Sequence, residues 1–213
     1  MKTEQLIDLL SNGAEPVATR AAARRSTLTV LAGAVVAALM MLKIYGLNPQ
    51  LVDLLAATDF WVKIAFTGVL SVAALITTLR LARPGDLVGV AMWWAVAAFV
   101  ALWTIGADAL IDAESGSRAT LVMGHTWRTC PLNIALLSTP IFVAVTLALR
   151  GLAPTRLRAA GAACGFFAGA LGAFVYGWHC PELAAPFIGT WYVLGIAIPT
   201  AIGALLGPRL LRW

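Results

Sequence analysis

Long apolar runs, separated by short polar segments, dominate the pattern along the chain. Six runs stand out, at 26–45, 60–82, 87–107, 132–149, 159–178 and 187–206. A bilayer core of about 30 Å is crossed by about 20 apolar residues in a helix, and most of these runs reach that length. Backbone polar groups inside lipid must be satisfied within the segment, and the alternation typical of a membrane barrel is absent. The pattern therefore predicts an all-α membrane protein, with a bundle of six transmembrane helices over residues 26–208.

Composition supports this class and excludes others. Of the 213 residues, 61% are hydrophobic and 12% are charged, against about 25% charged residues in an average soluble domain. So few charges argue against a soluble enzyme and against a small secreted domain held by disulfides. The net charge of +5 comes from basic residues grouped between the apolar runs. That distribution indicates contact with membrane lipid and orientation in the bilayer, and it predicts no direct nucleic-acid partner.

The distribution of Lys and Arg predicts the orientation. Eleven of these residues fall on one side of the predicted bundle and four on the other, and the richer side is normally cytoplasmic. Both termini, including the tail 209–213, are therefore expected in the cytoplasm, with outward loops at about 46–59, 108–131 and 179–186. Lys43 and Lys63 lie near the ends of their spans on the outward side, and we expect their side chains to extend toward the interface.

The leader, residues 1–25, is the one sizeable cytoplasmic segment in this topology. It has the pattern of a short amphipathic helix, and two interpretations remain open: a helix on the membrane surface or a helix docked in a partner's groove. Glu4 and Asp8 on its polar side favour the partner, because an anionic leaflet attracts basic helices. The apolar face consists of Leu6, Ile7, Leu9 and Leu10.

Small residues recur every four positions in the fifth and sixth runs. This spacing lets two helices approach closely in lipid. We therefore expect these stripes to face each other or a close neighbour within the bundle. The fifth run carries Gly161, Gly165, Gly169, Ala173 and Gly177, and the sixth carries Gly195, Pro199, Gly203 and Gly207.

Two of the three cysteines fall in predicted outward loops. Cys130 and Cys180 are each followed by proline, which is favoured at the first position of a helix. Each thiol is therefore expected near a helix N-cap, where the helix dipole lowers its pKa. Cys164 falls inside the fifth run beside the glycine stripe and is interpreted as a packing residue.

The two histidines of the chain, His125 and His179, neighbour these two cysteines. Three interpretations remain open if the loops meet: a redox pair, a permanent structural disulfide, or a site for zinc or another thiophilic metal. The adjacent positions of His179 and Cys180 argue against a complete four-ligand site. No catalytic constellation or phosphate-binding loop is present, so we predict that the chain is not an enzyme. A small metal or solute permease with outer His/Cys sites is the alternative function.

The order of these features resembles the NrsF family, membrane-bound negative regulators of extracytoplasmic-function sigma factors of the sigma-F type. The resemblance rests on the leader with Leu6-Ile7-Asp8-Leu9-Leu10, the six spans, Trp127-Arg128-Thr129-Cys130-Pro131, and Cys180-Pro181. It implies an anti-sigma factor in the bacterial inner membrane that binds its sigma factor through the leader. It also implies that Cys130 and Cys180 are periplasmic sensor thiols, responding to heavy metal or oxidant. A homodimer is left open, and the leader lacks the His/Cys cluster of zinc-containing anti-sigma domains.

Overall fold

A computed structural model of the protein describes residues 3–5, 19–83, 89–152 and 154–212. Residues 3–5 are helical, and the rest of this described part forms eight helices. The predicted sigma-binding residues Leu6, Ile7, Leu9 and Leu10 lie outside the described residues. The helices are α1 (Thr19–Ile44), α2 (Leu51–Ala56), α3 (Thr58–Leu81), α4 (Ala91–Asp112), α5 (Arg118–Met123), α6 (Cys130–Arg150), α7 (Leu157–Tyr176) and α8 (Ala185–Leu210).

The prediction of six long apolar helices is confirmed. Within the described residues, α1 from Ser26 onward, α3, α4, α6, α7 and α8 are each long and apolar enough to cross a membrane. The bounds differ most from the expected ones at the start of α1, which is Thr19 instead of residue 26, and at the end of α4, which is Asp112 instead of residue 107. The short helices α2 and α5 lie in segments that were predicted as outward loops.

Helix α7 is the centre of the bundle. In its most apolar window 72% of the residues are buried, against 17% in the corresponding windows of α1 and α4. It packs mainly against α8, α3 and α6. Helices α1 and α4 therefore form much of the apolar outer surface.

The predicted close packing of the two glycine stripes is confirmed for α7 and α8. A Cβ atom added to Gly161 would meet the backbone of Gly203 and Gly207, and one added to Gly165 would meet the carbonyl of Pro199. The first glycine of the α8 stripe has another neighbour, because Gly195 faces the Ile134 side chain of α6. Backbone-to-backbone approach of this kind requires glycine, since any side chain would occupy the space of the neighbouring helix.

The bundle has two chemically different ends. The thiol end comprises the connections 45–57, 113–129 and 177–184, which touch one another; for example, the Asn48 amide donates to the Trp178 carbonyl at 3.3 Å. The arginine end comprises the start of α1 and α7 and the end of α3, α6 and α8, where Leu81, Leu149 and Leu211 share one apolar cluster. Its described arginines beyond α1 are Arg80, Arg83, Arg150, Arg156, Arg158, Arg209 and Arg212.

Candidate functional site

The thiol end brings Cys130 and Cys180 together. Cys130 is the first residue of α6, and Cys180 lies in the irregular segment between α7 and α8. Both side chains are completely buried, and the Cys130 thiol donates a hydrogen bond to the Cys180 sulfur. Fifty residues of chain separate these cysteines, so their contact depends on how α6, α7 and α8 pack.

The expected position of Cys180 at a helix N-cap is wrong. Helix α8 begins at Ala185 with Ala184 as its N-cap, and the proline in its first turn is Pro186. Residues 180–184 form an irregular segment, so Pro181 starts no helix. Whatever favours the Cys180 thiolate must therefore come from neighbouring groups and not from the dipole of α8.

The Glu182 side chain connects the two cysteine loops. Its Oε1 atom accepts hydrogen bonds from the backbone amides of His125 at 2.7 Å and Thr126 at 3.2 Å. The Thr126 hydroxyl in turn lies 3.9 Å from the Cys180 sulfur. A carboxylate that accepts two backbone N–H bonds is a strong link, so the loop before α6 is held against the loop before α8.

A glycine makes this approach possible. Gly124 ends α5 with a φ of +54°, in the left-handed region that favours glycine. A Cβ atom at this position would lie 2.8 Å from the carboxyl carbon of Glu182 and 2.7 Å from the Phe187 ring. The absence of a side chain thus serves both the backbone conformation and the contact with Glu182.

The expectation that Lys63 extends outward to the interface is wrong. Its side chain is completely buried, and its ammonium donates to the carbonyl oxygens of Cys180 at 2.8 Å and Glu182 at 3.2 Å. The Phe60 ring lies beneath it, with 5.4 Å from the nitrogen to the ring centroid. The carbonyl groups of the thiol loop provide the acceptors that a buried ammonium requires, and they hold the side chain inside the bundle. The position of a lysine within an apolar run is the sequence signal that could have identified Lys63 as functional.

These neighbours change the acidity of Cys180. The hydrogen bond from Cys130, the Glu182 backbone N–H and the positive charge of Lys63 lower the pKa of the Cys180 thiol to about 6, against the opposing effect of burial. The hydroxyl of Tyr192 contributes to the same effect. At neutral pH the pair is therefore suited to act as one thiolate and one thiol, the arrangement that reacts with electrophiles.

Tyrosines complete the wall of the site, and sequence reasoning did not single them out. The Tyr192 hydroxyl is buried beside Cys180 and has no oxygen or nitrogen partner among the described residues. It belongs to a π-helical turn of α8, Ile188–Tyr192, a local widening often found at functional sites. Tyr176 and Tyr45 are linked through the amide of Asn133, at 3.2 and 3.0 Å. Nothing in the spacing of these residues indicates that they meet.

The two histidines do not join the thiols. His125 is exposed and approaches the site through its backbone. The His179 ring packs against Tyr45 and Tyr176, and its Nδ1 donates to the Gly46 carbonyl at 3.1 Å. In the described part of the chain, no three His, Cys, Asp or Glu side chains form a group that could hold a metal ion. These residues therefore do not supply the four ligands that zinc takes.

Cys164 lies far from this site, in the middle of α7. It is completely buried beside Thr146 of α6 and belongs to the apolar cluster of the arginine end. Its surroundings are those of a packing residue, as the sequence predicts.

Comparison of the sequence with known proteins identifies the family to which the chain belongs. A family model described as "Negative regulator of sigma F" matches residues 10–213. The chain is 46% identical to the probable anti-sigma-F factor NrsF of Azospira oryzae and 36% identical to the anti-sigma-F factor NrsF of Caulobacter vibrioides, in each case over the full length of both proteins. No solved structure matches the chain. With a match along nearly the whole chain and a buried thiol pair where the two Cys-Pro motifs meet, the protein belongs to the NrsF family of negative regulators of sigma F.

Proposed function

We propose that the protein is an anti-sigma factor of the bacterial inner membrane, which sequesters an extracytoplasmic-function sigma factor and releases it when Cys130 and Cys180 are modified. The full-length similarity to two anti-sigma-F factors supports the regulatory role. Six apolar helices, two of them with mostly exposed apolar surfaces, support insertion in a bilayer. The observation that carries the sensing role is the buried contact between the two thiols, at the end of the bundle opposite the arginine end.

The stimulus in this proposal is an oxidant or a thiophilic heavy metal. With a peroxide, the two thiols lose two protons and two electrons and form a disulfide, while the peroxide is reduced to water. With a divalent soft metal, the thiolate and the thiol bind the ion as two thiolates, and one proton is released. Inverting a 1:99 equilibrium between two states requires about 5.5 kcal/mol of differential stabilisation, and covalent or metal–thiolate bonds are of sufficient strength.

In the resting state, the leader 1–25 holds the sigma factor on the cytoplasmic side through Leu6, Ile7, Leu9 and Leu10. The arginine end includes the start of α1, whose first residue, Thr19, lies within this leader. Its basic side chains offer a second contact for an acidic surface of the sigma factor. A change of packing that starts at the thiol end reaches this region through the long helices.

A permease with outer His/Cys sites has less support. The buried hydroxyls of α3, from Thr67, Ser71, Thr77 and Thr78, each donate to a carbonyl of their own helix. Hydroxyls bonded in this way use their donors within the helix and therefore offer a solute fewer polar contacts. The histidines, as described above, do not converge on the thiols.

A pull-down tests the proposal. The full chain and a chain without residues 1–25 are purified in detergent from cells that express the sigma factor, and bound proteins are identified by mass spectrometry. We expect the sigma factor with the full chain and not with the truncated one. A full chain that binds no sigma factor contradicts the regulatory role, and size measurement of the same sample reports whether a second copy is present.

A further inference from the structure

One buried side chain, Lys63, connects helix α3 to the segment that carries Cys180. Lys63 lies within α3, whereas the carbonyl groups that it binds belong to Cys180 and Glu182. One of these residues carries a thiol of the pair, and the other holds the loop of Cys130 through His125 and Thr126. Lys63 therefore contacts the backbone of both residues that organise the thiol end.

The rest of the buried polar face of α3 makes its bonds within the helix. The hydroxyls of Ser71 and Thr78 donate to the carbonyls of Thr67 and Ala74, at 2.7 and 2.8 Å. Where α3 packs on α7, its buried surface includes the small residues Ala73 and Ala74. Such a face can shift along its neighbour without breaking these bonds, whereas a shift at Lys63 requires its two hydrogen bonds to change.

We propose that Lys63 is the positioning residue that transmits the state of the Cys130–Cys180 pair to α3, and through α3 to the arginine end. The inference rests on the sensing role proposed above. A helix of 24 residues is about 36 Å long, so α3 extends from the thiol loop to Arg80, with Arg83 just beyond its end. It thus provides a rigid connection between the stimulus and the side of the bundle where the sigma factor binds.

The physical reason is the cost of a buried ammonium. Lys63 has three N–H donors; two are satisfied by the carbonyls, and the Phe60 ring lies close to the cation. A disulfide brings two sulfur atoms to about 2.05 Å, much closer than hydrogen-bonded thiols, and in this proposal the irregular segment 180–184 takes up the movement. An ammonium that loses its acceptors in a dry site is strongly destabilised, and α3 must then shift or turn until Lys63 finds new partners.

The first test measures release of the sigma factor against formation of the disulfide. Complexes of the full chain with its sigma factor are treated with hydrogen peroxide in a Cys164→Ser background, so that two thiols and one peroxide give one disulfide and two waters. Mass spectrometry measures the disulfide, and sedimentation of membrane nanodiscs measures the bound sigma factor. Lys63→Met removes the charge at similar length, Lys63→Arg retains it, and Lys43→Met changes an exposed lysine at the same end as the matched control.

We expect Lys63→Met to form the disulfide but to release at least about fivefold less sigma factor per disulfide, the lower range of typical coupling between sites. Lys63→Arg and Lys43→Met should release as much sigma factor per disulfide as the parent, the chain that carries Cys164→Ser alone. Equal release by Lys63→Met overturns the inference. If instead the parent forms the disulfide and releases nothing, the proposed function itself fails, which is a different result.

A second measurement needs no substitution at Lys63. Hydrogen–deuterium exchange of the full chain is compared before and after disulfide formation. The inference expects faster exchange in the first turns of α3, around 59–66, because this is where the bonds of Lys63 are lost. Unchanged exchange in α3, with changes confined to α6 and α8, overturns it whether or not Lys63→Met folds.

Discussion

At the scale of single residues, Cys180 illustrates how surroundings decide the chemistry of a thiol. Burial by itself disfavours a thiolate. Here the Cys130 thiol, the Glu182 amide and the Lys63 ammonium act together against burial and lower the pKa of Cys180. Cys164 is just as buried but lies in the apolar middle of the bundle, where no comparable set of donors surrounds it.

This difference predicts a pH profile for alkylation of Cys180. Because only the thiolate reacts, the rate should rise through a midpoint near pH 6 and level off above it, since the pKa is lowered to about 6. Peptide-resolved mass spectrometry after iodoacetamide treatment at several pH values measures the midpoint. Cys130→Ala removes the main hydrogen-bond donor and should raise the midpoint. A midpoint near the ordinary cysteine value of about 8.5 in the unsubstituted chain would contradict the assignment.

Gly124 offers a second prediction at this scale. Gly124→Ala adds a Cβ that collides with Glu182 and Phe187 and places alanine at a positive φ. We expect a loss of about 1–3 kcal/mol in the free energy of unfolding, measured as a lower thermal midpoint in detergent. Gly116→Ala is the matched control, because a Cβ there has nothing within 4 Å. Equal midpoints for the two variants would mean that the contact with Glu182 is unimportant for stability.

At the scale of the helix, the contact between α7 and α8 depends on space and not on polar bonds. Gly161, Gly165 and Gly203 each face backbone atoms of the opposite helix. The absence of side chains lets the two backbones pack directly, which in lipid replaces the hydrophobic effect as a source of helix association. The packed helices α7 and α8 therefore fix the position of the Cys180 loop relative to α6 and α3.

One substitution in each of two helices checks this role. Gly165→Ala places a Cβ against the Pro199 carbonyl, whereas Gly68→Ala in α3 has its nearest neighbour, the Phe174 ring, at 3.7 Å. Overpacking should cost Gly165→Ala about 1–3 kcal/mol, while Gly68→Ala should change the unfolding midpoint little. Thermal unfolding followed by circular dichroism in detergent measures both. Comparable stability for the two variants would show that α7 and α8 can separate without penalty.

At the scale of the whole molecule, the thiol end and the arginine end are separated by the length of the bundle. A signal that begins at one end and acts at the other requires two packings of the helices with different affinity for the stimulus. The buried, satisfied hydrogen bonds around Cys180 define one of these packings. In the proposed mechanism, modification of the thiols removes the geometry of this packing and favours the other packing.

Substitution of the thiols tests this view in cells. Cys130→Ser and Cys180→Ser should each hold the regulator in one output state, whereas Cys164→Ser should respond as the unsubstituted chain does. Transcription from a promoter dependent on the sigma factor, with and without oxidant, provides the measurement. If only the Cys164→Ser variant loses its response, the sensing site has been placed at the wrong end of the bundle.

The sequence by itself determined that the fold is all-helical and how many long apolar helices it contains. Spans of about 20 apolar residues and spacing of glycine every four residues are local properties, so the six helices and the contact of α7 with α8 follow from them. The sequence leaves open whether Cys130 and Cys180 meet, although the local motifs around the two cysteines are similar.

Only the tertiary structure decided which groups surround the thiols. Lys63 is distant from Cys180 along the chain, and Tyr192 is separated from it by the start of α8. The contacts of both residues with Cys180 depend on how the helices rotate and pack. For the same reason the predicted N-cap at Cys180 failed: the start of α8 is fixed by Pro186 and its packing, not by the first proline in the segment. Local pattern determines which segments are helical, but side chains from three helices and two loops meet only when the bundle has formed.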